Sequence, residues 1–383
     1  MMSKGYKIAL PLLFFGLIGF YWMDHYAHIL PQMELQERRV LAKKPQLKLS
    51  FLDPFPKDYE AYYNDHFYWR NNLIRLNNYI NYYTFKQSAL PEKVLVGKAG
   101  WLFKAGFQLD IYRGKFQFTE QQLGQIAQEL TRRKLIVEAS GAKYYLTIPP
   151  QKHSIYPEYL PAGVKKLNEK TCTQQLIDYL QQKTDISYID LFEPILEKKA
   201  QTDTLLYYQT DHHWNDITGL LAAQVILKRL RVDFPSIEPL SFNDYTFPYA
   251  TFDGMTLAQM LGIDKELKES VPVLTPNIPM LARDSLRQYP APHDFPFKDD
   301  YVIDKRMNRP DLPSLFVVRE SFASATILPL AEHFSRSFFL FDNWRHQFNQ
   351  PIFEQEQSAI YLQMVWEGLI FNLMENPPAD AKW

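Results

Sequence analysis

Between residues 140 and 370, short apolar runs alternate with stretches of helical spacing. No other feature constrains the fold of this chain as much. Residues 143–148 (KYYLTI) stop at Pro149-Pro150 and read as a strand. Residues 172–183 read as a helix, 186–189 as a strand before Asp190, and 216–231 as a helix. Further on, 314–318 (SLFVV) is a buried-strand pattern, 324–334 is helical, and 337–341 and 359–365 are strands. Strands that alternate with helices argue for an α/β fold with a mainly parallel sheet and helices on both faces. Upstream, residues 94–96 and 100–103 flank a turn and read as a hairpin. Residues 119–140 open with TEQQ, a Thr cap followed three residues later by Gln, and run helically to Gly141. Apolar groups at spacings of three and four make 67–86 an amphipathic helix. Residues 232–300, rich in Pro, Asp and Phe, read as a lid or insertion.

The first 30 residues bear on compartment. Lys4 and Lys7 precede residues 8–23, which carry no charge over 16 positions. That is shorter than the ~20 apolar residues of a full span, but Tyr6, Tyr21 and Trp22 can sit at the interfaces. A cleavable signal peptide would need small residues in an A-x-A-like pattern after the apolar run, and DHYAHILPQ supplies no such site. An uncleaved anchor over 1–30 is therefore expected, with a stalk over 31–60 and one catalytic-size domain over 61–383. Positive charge on the short N-terminal side places the remainder outside the cytoplasm. The 42 basic and 43 acidic residues give a net charge of −1, so no general field attracts nucleic acid. The single cysteine, Cys172, excludes internal disulfides and a cysteine zinc cluster.

Chemistry concentrates at two places. One is residues 207–216, YYQTDHHWND. The other is residues 316–325, FVVRESFASA, where an apolar strand runs straight into Ser321 and then a helix. A serine at the carboxyl end of a strand, where a helix begins, is well placed as a nucleophile. Helix N–H groups there can stabilise an oxyanion, and ligands of open α/β sheets collect at those strand ends. Such a serine needs a histidine base, and the histidine needs a carboxylate. Asp211 and His213, two residues apart, can lie on one side of an extended segment, with His212 pointing elsewhere. Other readings remain at this point: Ser321 as a helix cap, the histidines as decoration, or Asp-His-His as part of a metal site.

The DHHW stretch, preceded by YYQT and followed by Asn215, resembles the signature of DHHW-motif proteins. These are SGNH-hydrolase-like proteins of alginate and exopolysaccharide O-acetylation. Further blocks follow in the same order: NDHFYWRNNLIRL, KVLVGKAGWLF, IPPQKHSIYPEYLP, FDGMTLAQMLGI, VVRESF and EHFSRSFFL. The resemblance covers about residues 60–370. It implies an SGNH-like fold, a flavodoxin-like three-layer sandwich in permuted order with inserted loops. It also implies an extracytoplasmic, membrane-anchored O-acyltransferase with Ser321 as nucleophile, His213 as base and Asp211 as its orienting carboxylate. The order Asp, His, Ser is the permuted one that marks the family. Glu320 stands where Asp is common before the nucleophile.

The resemblance further implies transfer of an acetyl group to a hydroxyl of an exported or cell-surface polysaccharide through an acetyl-serine. A membrane-bound O-acyltransferase would supply the acetyl group. No cofactor, metal or nucleic acid is expected. Lys152, Tyr156, Trp214, Arg319 and Arg345 are candidate glycan contacts by motif position. The chain ends soon after the last expected strand, so a separate carbohydrate-binding module is not expected. The alternatives are a carbohydrate acetylesterase using the same three residues, and a non-catalytic glycan-binding or assembly protein. The latter expects Ser321 out of hydrogen-bond reach of the histidines.

Overall fold

A computed structural model describes residues 4–33, 40–47, 52–285, 289–293, 295–342 and 348–374. The chain divides into two compact units. One comprises Met1–Ala89 with Gln259–Asp264, and the other comprises Leu90–Ala258 with Lys265–Trp383.

The larger unit is built on a seven-stranded sheet. Its order is Ser187–Ile189, Lys143–Thr147, Ile360–Met364, Ser314–Val318, Arg336–Leu340, Val302–Arg306 and Arg283–Asp284. The first five strands are parallel, and the last two join antiparallel. Counted from Ser314–Val318 and carried round through the start of the unit, the parallel strands fall in the order 2-1-3-4-5. That is the flavodoxin-like winding, entered at a different point in the chain. The expected α/β fold is present, and the permutation is a property of its strand order.

Register across the sheet is pinned by a row of rings. Tyr144 lies opposite Tyr361, Tyr361 opposite Phe316, and Phe316 opposite Phe338. Their centroids stand 5.5, 5.4 and 5.1 Å apart with nearly parallel planes. A slip of one residue would throw all four rings to the other face. On this face Tyr144 Oη donates to Gln363 Oε1 at 2.7 Å, and Arg133 of the Glu120–Ala139 helix reaches the same amide oxygen. Tyr145 points to the opposite face, where its hydroxyl donates to Asp233 at 2.6 Å under the Asp216–Asp233 helix. Adjacent residues of one strand thus receive helices on both faces.

The Glu120–Ala139 helix begins where the sequence places it. Thr119 Oγ1 accepts the Gln122 N–H, and the Gln122 side chain accepts the Thr119 N–H. The hairpin forms as Val94–Val96 against Leu102–Lys104. Residues 232–300 hold two short antiparallel ladders, Tyr249–Asp253 with Lys268–Pro272 and Tyr245–Thr246 with Thr275–Pro276. The antiparallel strand Val302–Arg306 has no counterpart in the sequence reading.

The smaller unit contains the apolar helix Lys4–Ala27, within which Ile8–Ala27 is long and apolar enough to cross a membrane. Helices Phe55–His66 and Arg70–Ile80 follow, the second continuing as a π-turn through Asn81–Phe85. The sequence reading placed residues 55–60 in the stalk.

Candidate active site

Ser321 stands three residues beyond the Ser314–Val318 strand, at the start of a short 3-10 turn that leads into the Ser324–Ala331 helix. After that helix the chain runs to Arg336–Leu340 on one side, then crosses back to Ile360–Met364 on the other. The carboxyl ends of Ser314–Val318 and Ile360–Met364 therefore diverge. This is the point of an open α/β sheet where ligands bind. Trp366, just past the second of these strands, stacks on Phe322, just past the first, with centroids 5.1 Å apart.

The DHHW segment is held over this crevice by its own ends. Tyr207 and Trp214 form an isolated antiparallel bridge, and Asn215 caps the next helix by accepting the Thr218 N–H. The Trp214 indole N–H donates to the Phe322 carbonyl at 2.8 Å, which ties the loop directly to the serine's neighbour. From the insertion, Glu269 accepts the N–H of Gln209 and both the N–H and hydroxyl of Thr210. The hydroxyl of Thr210 in turn accepts the Met255 N–H at 2.9 Å.

The result is a line of three side chains. Asp211 Oδ1 lies 2.8 Å from His213 Nδ1, and His213 Nε2 lies 2.7 Å from Ser321 Oγ. Asp211 is buried and also accepts the N–H groups of His212 at 2.5 Å, His213 at 3.2 Å and Thr256 at 3.2 Å. Burial opposes its charge, but the neighbouring His213 and His212 side chains hold it well below the usual carboxylate range. Ser321 is exposed and His213 is partly exposed. His212 points away from the serine, buried beside Trp366 and Phe322. Burial and the neighbouring His213 pull it down to about 3, so it is neutral.

Glu320 is buried next to the nucleophile position. Its Oε2 accepts the Phe322 N–H at 2.7 Å, and burial pushes its carboxyl up to about 7 despite Phe322, His213 and Arg319. Asp211, His212 and His213 also offer three donor atoms close enough to be weighed as a metal site. Both histidine Nδ1 atoms stand 2.8–2.9 Å from the same carboxylate oxygen. Tetrahedral zinc with bonds of ~2.1 Å holds its donors ~3.4 Å apart, so the Asp211–His213 spacing is that of a hydrogen bond.

The other candidate residues lie in varied surroundings. Lys152 is buried, and its ammonium donates to the carbonyls of Leu102, Gln209 and Asp211 at 2.6, 2.8 and 2.9 Å. Three protons meet three acceptors, which leaves none for a ligand. Burial lowers this amine to about 7, while Glu269 and Asp211 favour its charge. Tyr156 is buried against Trp101, and its hydroxyl accepts the Leu206 N–H. Trp214 is buried and holds Phe322 as described. Arg319 is buried, lies over the Phe341 ring at 4.6 Å and donates to the Asp300 carbonyl at 2.7 Å. Burial lowers it to about 10. Arg345 lies outside the described residues.

Sequence reasoning missed Glu269, Thr256 and Trp366. Only Trp366 carries a local signal, its place just beyond a parallel strand's carboxyl end. Glu269 and Thr256 come from the insertion, and nothing around them in sequence points back to Asp211.

Residues 94–282 match the model of a family described as the SGNH hydrolase-like domain of acetyltransferase AlgX. Residues 94–282 are thus similar to an AlgX-type SGNH hydrolase-like domain. The matched segment includes Asp211 and His213 and ends before Ser321. Among solved structures, PatB1 of Bacillus cereus is similar at 19% identity, over 74% of this chain and 97% of that one, with a TM-score of 0.52. A DHHW family protein of Eubacterium siraeum is similar at 15% identity, over 76% of this chain and 97% of that one, with a TM-score of 0.50. Likenesses at this identity establish the fold alone. No curated protein matches the chain. The larger unit thus brings an Asp-His pair, from the loop before the Asp216–Asp233 helix, together with a serine just past the central Ser314–Val318 strand.

Proposed function

We propose that this chain is an extracytoplasmic O-acetyltransferase that moves an acetyl group to a hydroxyl of an exported polysaccharide. The observation that carries this reading is the unbroken line Asp211–His213–Ser321, with links of 2.8 and 2.7 Å, opening on an exposed serine at the sheet's switch point. The family of residues 94–282 supplies the acetyl chemistry.

Ser321 Oγ attacks the donor carbonyl while His213 Nε2 takes its proton. The proton then passes to the leaving group, and an acetyl-serine remains. A sugar hydroxyl next gives its proton to His213, attacks the acetyl carbonyl and expels Ser321, which recovers the proton. Asp211 keeps Nδ1 protonated and steadies the imidazolium. Among the described residues no acceptor takes the Ser321 N–H, which makes it a natural donor to the developing oxyanion. Lys152 and Trp214 act here through position, one gripping the carbonyl of Asp211 and the other the carbonyl of Phe322. Residues 1–30 anchor the domain beside a membrane-bound O-acyltransferase that delivers the acetyl group, with residues 31–60 as a stalk between anchor and domain.

The same serine can serve an acetylesterase, with water as acceptor. A non-catalytic protein has no need of the short links. Ser321→Ala is expected to abolish both acetyl transfer to an added oligosaccharide and hydrolysis of an activated acetyl ester. Thermal melting should be unchanged, since the side chain is exposed. Retained transfer in this variant refutes the mechanism. In the unmodified protein, acetyl-oligosaccharide in excess over free acetate supports the transferase, and acetate alone supports the esterase.

A further inference from the structure

Helix Arg70–Ile80 is turned inside out. Its buried residues are Arg75 and Asn78, and both are occupied within the smaller unit. Asn78 donates to the Leu261 carbonyl at 2.6 Å, and Arg75 pairs with Asp264. The opposite face carries Leu73, Leu76 and Ile80, which are 47, 55 and 40% exposed. At 100° per residue these three, with Trp69 one turn before Leu73, fall in one narrow stripe. A water-soluble helix does the reverse and buries its apolar stripe. A helix that gives its polar face to protein and its apolar face outward fits an apolar surrounding.

The start of this helix is tied to the end of the apolar N-terminal helix. The Trp69 indole N–H donates to Asp24 Oδ2 at 2.6 Å, and the Leu30 N–H donates to Asp24 Oδ1 at 2.6 Å. Tyr21 stacks on Phe67 with planes 5° apart, and Trp69 meets the rings of Phe20 and Tyr21. Asn71 and Asn72 bind the backbone of Pro31 and Met33, which fixes the connecting turn. Ile8–Ala27 is 20 residues, about 30 Å at 1.5 Å per residue, so its last turn falls at the edge of the hydrocarbon layer. Phe67–Trp69 then stand at that same depth, in the band where tyrosine and tryptophan collect.

We propose that the Arg70–Ile80 helix lies in the lipid–water interface, with Leu73, Leu76 and Ile80 set into the bilayer beside the spanning helix. This rests on the reading of residues 1–30 as a membrane anchor. The partner is the lipid surface itself. The helix makes a second, shallow contact that fixes the orientation of the smaller unit, as interfacial amphipathic helices do.

The test uses the full chain in phosphatidylcholine vesicles, with one environment-sensitive fluorophore attached at a single introduced cysteine. Cys172 is buried and does not compete for label. Leu76→Cys and Asn77→Cys are compared, with Leu13→Cys as a reference inside the span. The expected result is severalfold quenching by brominated lipid at 13 and 76, and quenching by aqueous iodide at 77. Lipid quenching at 13 with iodide quenching at 76 overturns this proposal and leaves the anchor standing. So does lipid quenching at 13 with position 76 shielded from both quenchers, which marks a protein partner. Loss of lipid quenching at 13 overturns the anchor and this proposal with it.

Discussion

Near neutral pH Glu320 is still partly protonated, whereas an exposed glutamate has lost its proton. Its native value of about 7 lies above the ~4.3 of an unfolded glutamate. The folded state therefore binds more protons between those values, and stability falls as pH rises from about 4.3 to 7. The loss is about 1.4 kcal/mol for each pH unit between them, a few kcal/mol in total. Glu320→Gln keeps an oxygen for the Phe322 N–H but removes the ionisation. Urea unfolding at pH 5, 6, 7 and 8 should show the decline in the unmodified protein and a flatter profile in the variant. At this scale the sequence says much about the nucleophile end of the site and less about its support. Asp211 and His213 are legible because their spacing is local, and Ser321 because a strand runs into it. Glu269 is not, because it meets Gln209 and Thr210 across about 60 residues of chain and works only once the insertion has folded.

The helices Asp216–Asp233 and Ser324–Ala331 approach closely because Gly219 has no side chain. A Cβ there would meet the Cβ of Ala325 and come within 2.6 Å of its carbonyl oxygen. Both helices start at the site, one after the DHHW loop and one after Ser321, so this contact sets the spacing of His213 and Ser321. Gly219→Ala should cost ~1–3 kcal/mol through overpacking, even though alanine is the better helix former. Gly124→Ala on the Glu120–Ala139 helix meets only Tyr179 Oη at 3.4 Å and should instead stabilise by ~0.5–1 kcal/mol. Chemical denaturation of the two variants reads opposite signs, and equal signs would sink the argument. The elements with strong local codes were readable, such as the Thr119–Gln122 box and the SLFVV strand. Val302–Arg306 was not, because Asp304 interrupts its apolar pattern. That buried carboxylate is compensated by Arg336 on the neighbouring strand, which meets both of its oxygens at 2.9 and 3.0 Å.

At the scale of the whole molecule, the apolar N-terminal helix contributes nothing to the core. Its residues from Ile8 to Leu17 are exposed, whereas the aromatic layer of the sheet is buried. Removing residues 1–18 should leave the melting temperature unchanged and let a carbonate wash strip the protein from membranes. A shallow interfacial helix alone binds only reversibly. A variant still retained after the wash would show that something besides the span holds it. The alternation of strands and helices made the α/β fold readable. The place where the chain enters the sheet was legible only through the family resemblance, which implied a permuted order, because strand order is decided by pairings far apart in sequence. That entry point also has a consequence for how the protein is made. Synthesis runs from the amino end, so Asp211 and His213 emerge more than a hundred residues before Ser321. The strand that closes the middle of the sheet, Ile360–Met364, comes nearly last. A chain cut short at any earlier point lacks its central strand, not an edge. Copies that lack it therefore hold a gap beside the crevice.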